Sequence, residues 1–210
     1  MGITTYKAWR QETERVFAKA KLVEKSVESH KSPSGNYTLD TSVYSTGPHT
    51  WQYSRGVVRR VSDRSILADV KRNYGQFWHA WVDHPNGREY LLCGEDYQGY
   101  SVIDLSTGNQ AVYFPDAGFN GGGFCWAAVH PSPDGRTLAV DGCYWGGPYD
   151  IVFFDFSDPM KIPLPELSRF ESLSDTLGWK DKQTFEFTLL NDADEKHTTC
   201  WERQDEPGAP

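Results

Sequence analysis

The chain has 210 residues, of which 38% are hydrophobic and 14% aromatic, enough to bury a core in one sizeable domain or two small ones. Its formal net charge of −8 argues against non-specific binding to nucleic acid or to anionic membranes, since both reward clustered Lys and Arg. The first residues lack the apolar core of a signal peptide, and no run reaches membrane-spanning length. We therefore expect a cytoplasmic protein.

The first predicted element is a helix over residues 4–28. Thr4 or Thr5 offers an N-cap, and apolar side chains then recur at three- and four-residue spacing among Glu, Arg and Lys. The apolar stripe is narrow, which predicts a helix lying across another element. Residues 1–30 are accordingly expected to pack on a sheet. Pro33 and Gly35 end this segment, and the later segments are short and rich in β-branched and aromatic residues, as strands are.

A repeat organises the rest of the chain. The segments 32–39, 84–92 and 132–140 each contain a proline, a glycine shortly after it, and then a strand pattern. The glycines are Gly35, Gly87 and Gly135, at spacings of 52 and 48 residues. A turn of this kind joins antiparallel strands, because proline presets φ and glycine accepts a positive φ. Each copy is thus predicted to be an antiparallel meander.

The flanking strands repeat as well. An aromatic-rich strand precedes the second and third turns, at 76–83 and 123–130, and a second matching strand follows them, at 100–108 and 149–159. Asp104 and Asp155 hold equivalent positions in the second and third copies. A shortened fourth copy spans 178–190.

The stretch "HPSPDGRTLAV" followed by "IVFFDFSDP" resembles a blade of the WD40-like or TolB-like β-propeller repeats. The resemblance covers roughly residues 32–190 and is specific for the strand–turn–strand module. No copy ends in a Trp-Asp dipeptide or begins with Gly-His, so no particular family is assigned. The resemblance implies a mainly β fold of three to four meander units.

Two arrangements fit three to four meander units: an open array of meanders with the N-terminal helix, or a small four-unit propeller. The β-repeat domain is predicted over 31–203, and residues 204–210 are predicted to be a disordered tail. The expected units are about 32–75, 76–117, 123–165 and 178–202.

The turns carry the side chains best suited to binding. If the copies stack, the loops 93–100 and 141–150 fall on one face and form an aromatic patch rimmed with acids. Such a patch suits a small polar ligand or a protein partner. The predicted binding residues are Glu95, Asp96, Tyr97, Tyr100, Asp141, Tyr144, Trp145, Tyr149 and Asp150.

No cofactor or metal is expected. The cysteines and histidines lack metal-ligand spacing, and the run Gly121–Gly123 lacks the helix or Lys that a phosphate loop requires. The leading hypothesis is a non-enzymatic β-repeat binding module. The alternatives are a hydrolytic, carbohydrate-active type of enzyme that uses the loop carboxylates, and a subunit that self-associates through an incomplete sheet edge.

Overall fold

The computed structural model describes residues 5–116, 122–144 and 146–204. One helix precedes three antiparallel sheets, which follow one another along the chain. The elements are α1 (Tyr6–Phe17), β1 (Lys21–Leu22), β2 (Glu28–Lys31), β3 (Tyr37–Ser45), β4 (Gln52–Arg60), β5 (Ile66–Arg72), β6 (His79–His84), β7 (Arg88–Gly94), β8 (Tyr100–Asp104), β9 (Gln110–Tyr113), β10 (Cys125–Pro131), β11 (Thr137–Cys143), β12 (Tyr149–Asp155), β13 (Glu166–Trp179), β14 (Thr184–Leu190) and β15 (Lys196–Glu202).

The fold is mainly β, as predicted, and its sheets form an open array of blade-like meanders. The first sheet contains β1 to β5, with β1 and β2 both paired to β3. The second sheet has the order β6-β7-β8-β9, and the third runs from β10 to β15 in chain order. Within the described ranges, no helix has the length and apolar character that crossing a bilayer requires.

The predicted turn repeat is confirmed. Gly35, Gly87 and Gly135 have φ angles of 74°, 79° and 68°. The N–H of each glycine donates a hydrogen bond of 2.8–3.0 Å to the carbonyl three residues earlier. The accepting residues are Ser32, His84 and Ser132 respectively. The Pro-Gly segments therefore form the turn of an equivalent hairpin in each of the three sheets.

The predicted helix over 4–28 is too long. Thr5 caps α1 by accepting a hydrogen bond from the Ala8 N–H at 3.2 Å, but the helix ends at Phe17. The following chain instead pairs with the free edge of β3, where the Val23 N–H donates to the Val43 carbonyl at 2.9 Å. Pairing with the sheet edge thus prevails over the helical spacing of the valines, since tertiary contacts override weak helix propensity.

The fourth repeat does not form a sheet of its own. β13 pairs with β12 through residues 166–173 and with β14 through residues 173–179, so one long strand joins the two halves of the third sheet. Phe185 and Phe187 on β14 then pack against Phe153 of β12. The last hairpin covers the outer face of the third sheet in this way.

The sheets share two further apolar cores. Leu39 and Val58 of the first sheet pack with Leu91 and Ile103 of the second. The second and third sheets meet around Trp126 and its aromatic neighbours, and their first strands, β6 and β10, lie against one another. All three sheets therefore converge beside the starts of β6 and β10.

Candidate functional site

A cavity of about 210 Å³ lies where the three sheets converge. For scale, an apolar cavity of roughly 150 Å³ accepts a benzene molecule. The central cavity, as we call it, therefore has room for one ring with a small polar substituent. Its lining comes from all three sheets and their connections: Arg72, Tyr74, Gln76, Trp78, Tyr97, Cys125, Trp126, Ala127, Cys143, Gly146 and Tyr149.

A β-bulge shapes one wall of the central cavity. The pairing of β10 with β11 shifts register between Trp126 and Ala128, which leaves Ala127 as the extra residue. Bulges commonly re-aim a side chain beside a functional site. Here the bulged residue is small, and the space that a larger side chain would fill remains part of the cavity.

Arg72 places a buried positive charge at the cavity. Its side chain is only 1% exposed, and its guanidinium donates to the backbone carbonyls of Gln76 and Asp96, the latter at 2.9 and 3.2 Å. The guanidinium carbon also lies 5.2 Å from the Tyr74 ring centroid and 5.9 Å from that of Trp78. Burial lowers the pKa of Arg72 to about 10, so the group remains charged at neutral pH.

Trp78 brings a second donor next to this charge. The residue is 8% exposed, and its buried indole Nε1 has no acceptor among the described residues. A Cβ at Gly94 would lie 2.7 Å from this nitrogen and 2.7 Å from the guanidinium carbon of Arg72. The close approach of both groups therefore requires glycine at this position.

Asp96 is half-buried, and its backbone carbonyl accepts hydrogen bonds from Arg72. Its Oδ1 has no hydrogen-bond partner among the described residues. Burial raises the pKa of Asp96 to about 6, with a smaller rise from Glu95, while the Tyr97 N–H and the Arg72 charge oppose the rise. Ionised Asp96 is thus destabilising at neutral pH.

The substitution Asp96→Asn should stabilise the protein near neutral pH. Between the usual aspartate pKa and about 6, the folded protein binds more protons than the unfolded chain, so wild-type stability falls as pH rises through that window. Asparagine keeps an acceptor for Tyr97 and cannot ionise. We expect a gain of about 1–3 kcal/mol at about pH 7.5 that vanishes below about pH 4, measured by urea unfolding. A constant gain at every pH would contradict this assignment.

The structure divides the aromatic residues predicted to bind between two cavities. Tyr97 and Tyr149 line the central cavity. Tyr100 and Tyr144 line a second cavity of about 280 Å³, and Trp126 stands between the two. Trp145 lies outside the described residues, as do Gly121 of the glycine run and all of the predicted tail except Gln204.

The predicted acids do not gather around one pocket. Glu95 lies beneath α1 and pairs with Arg10 at 2.7 Å, whereas Asp141 bonds to His130 at 2.8 Å. Asp150 lies 3.4 Å from Arg169 at the second cavity. None of these carboxylates lines the central cavity in the described part of the chain.

Sequence reasoning missed Arg72, Trp78, Gly94 and Ala127. Arg72 ends the last strand of the first sheet and Trp78 directly precedes β6, the first strand of the second, so they lie on either side of a repeat junction. The aromatic segment before β6 was a visible signal for Trp78. A buried arginine and a bulged alanine have no such signature in one sequence.

Comparison with known proteins gives one curated relative and several similar folds. No family model matches the chain. It is 41% identical over 130 residues to "Uncharacterized protein R762" of Acanthamoeba polyphaga mimivirus. That match covers 62% of this chain and 51% of the relative, so the chain spans about half of the relative's length.

Among solved structures, the chain is similar to the Cps50 (Swd1) β-propeller domain of Myceliophteria thermophila and to TolB of Acinetobacter baumannii. The first likeness has a TM-score of 0.46 at 13% identity and covers 97% of this chain and 57% of that one. The second has a TM-score of 0.45 at 14% identity and covers 85% and 41%. These are similarities to parts of β-propeller structures.

Proposed function

We propose that this protein is a non-enzymatic binding module that takes a small polar ligand in the central cavity. The observation that carries the proposal is the buried Arg72 charge beside aromatic rings, in a concave site to which all three sheets contribute. Ligand sites are typically concave, mainly apolar and supplied with a few convergent polar groups. A cavity of about 210 Å³ favours a small molecule over a protein segment as its occupant.

A hydrolase acting through loop carboxylates has less support. Such chemistry requires two carboxyl groups placed on either side of the same scissile bond. Glu95, Asp141 and Asp150 instead pair with three different basic side chains in three places. These three carboxylates are thus committed to the scaffold, which favours binding over catalysis.

The proposal is tested by filling the cavity. We expect single-ring probes (benzoate, benzamide and benzylamine) to include at least one that binds saturably in calorimetric titrations at millimolar concentration. Ala127→Leu should weaken that binding at least about tenfold, because its side chain would occupy the space beside the bulge.

The matched control is Ala111→Leu, which adds the same atoms to the half-buried strand β9 away from the cavity. It should leave probe affinity unchanged. Binding that survives in Ala127→Leu, or a complete lack of binding in the parent protein, would contradict the proposal.

A further inference from the structure

We propose that the ligand of the central cavity is a small ring-bearing carboxylate whose oxygens accept hydrogen bonds from Arg72 and Trp78. This inference rests on the proposed function and names the chemical class of the ligand. Its support comes from charge, from unused donors and from the aromatic walls.

Arg72 carries a positive charge that is almost fully buried. A buried ion is costly unless it is paired, and buried charges are therefore normally paired. No described carboxylate oxygen lies within 4.0 Å of the Arg72 guanidinium nitrogens, which donate to the backbone carbonyls of Gln76 and Asp96. The Asp96 and Glu95 carboxyl groups act on the Arg72 charge only from beyond that distance. An anion in the adjacent cavity would supply a direct ion pair.

Arg72 and Trp78 also have N–H groups without acceptors among the described residues. A guanidinium has five N–H groups, and Arg72 uses three of them, which leaves two. The Trp78 indole N–H is buried and has no described acceptor. The Arg72 guanidinium carbon and the Trp78 indole nitrogen both lie beside Gly94, each 2.7 Å from where its Cβ would be. A carboxylate matches these donors, since its two oxygens accept several hydrogen bonds and it pairs well with guanidinium.

Aromatic rings form much of the cavity wall. Tyr74 and Trp78 flank the guanidinium, and Trp126 lies beyond Trp78, stacked on it with ring centroids 5.7 Å apart. Aromatic walls favour a flat ring in offset or edge-to-face contact. The volume of about 210 Å³ leaves room for the carboxylate beside that ring. Inorganic phosphate would use the donors but not the aromatic walls.

The experiment compares benzoate with three probes: neutral benzamide, cationic benzylamine and inorganic phosphate. Charge-assisted hydrogen bonds exceed neutral ones in strength, so benzoate should bind about tenfold or more tightly than benzamide. Benzylamine should bind most weakly of the ring-bearing probes, and phosphate more weakly than benzoate.

Two variants locate the carboxylate. Trp78→Phe removes the indole N–H but keeps an aromatic ring, and should lower benzoate affinity about three- to tenfold. Arg72→Lys keeps the charge without the planar guanidinium and should reduce benzoate affinity further. Arg169→Lys, at the second cavity, is the control and should leave benzoate binding unchanged. Circular dichroism of each variant checks that it is folded. If Arg72→Lys does not fold, Trp78→Phe still tests the inference.

The outcomes separate the two proposals. If benzamide or benzylamine binds as tightly as benzoate, the central cavity still binds small ligands but the carboxylate inference is overturned. Tighter binding of phosphate than of benzoate, or benzoate binding unaffected by Trp78→Phe, overturns it as well. If no probe binds, the proposed function fails together with the inference.

Discussion

Gly135→Ala should lower the free energy of unfolding by about 2–5 kcal/mol. The residue has a φ of 68°, where an L side chain is strained by about 1–2 kcal/mol. A Cβ here would also lie 2.4 Å from the Asp83 carbonyl oxygen and 3.2 Å from the His84 Cα, which belong to β6 of the second sheet. Relieving that contact must move backbone, at a further cost of about 1–3 kcal/mol.

Gly87→Ala is the matched control, because Gly87 holds the same position in the preceding repeat. Its φ is 79°, and a Cβ there would meet nothing within 4 Å. Only the backbone strain applies, so we expect a loss of about 1–2 kcal/mol. Urea unfolding of both variants isolates the contact between the third turn and the second sheet. Equal losses would show that this turn does not pack on β6.

Glu95→Ala should lower the free energy of unfolding by about 2–4 kcal/mol and loosen α1. Glu95 is 2% exposed and accepts hydrogen bonds from Arg10 at 2.7 Å, from Tyr6 at 3.4 Å and from the buried Ser101 hydroxyl. Burial raises the pKa of Glu95, and Arg10 opposes that rise. In either protonation state, alanine removes the acceptors of three side chains and leaves a void.

The control for this prediction is Glu12→Ala. Glu12 lies on α1 and pairs with Arg15 at 3.0 Å, but both side chains are exposed, so the expected loss is below about 1 kcal/mol. Unfolding by urea gives both values, and hydrogen exchange of the α1 amides should accelerate only in Glu95→Ala. Similar behaviour of the two variants would mean that Glu95 does not anchor the helix.

The sheet repeat was predictable because its determinants are local. Proline and glycine at fixed offsets specify the turn wherever it occurs, and all three turn glycines adopt positive φ. The equivalence of Asp104 and Asp155 has a similarly local cause. Each aspartate accepts hydrogen bonds from the N–H and hydroxyl of a serine two residues later.

The features that sequence reasoning missed depend on distant contacts. The two short strands within residues 21–31 pair with the edge of β3 that β4 does not occupy. The aromatic side chains of β14 pack against Phe153 of β12 and bury it. The central cavity likewise depends on how three sheets converge. Local composition pointed to Tyr97 and Tyr149, which line the central cavity, but it could not show that the Glu95 side chain points beneath α1 while Arg72 lines the cavity.

The central claim is that the cavity between the three sheets binds a small carboxylate. The most direct test follows the indole N–H signals of the eight tryptophans by NMR during a benzoate titration, with Trp78→Phe used to assign Trp78. We predict a saturable shift of the Trp78 signal, because its N–H gains an acceptor. The Trp179 signal should stay fixed, since that N–H already donates to the His130 carbonyl at 2.9 Å. A titration that leaves the Trp78 signal unmoved would contradict the claim.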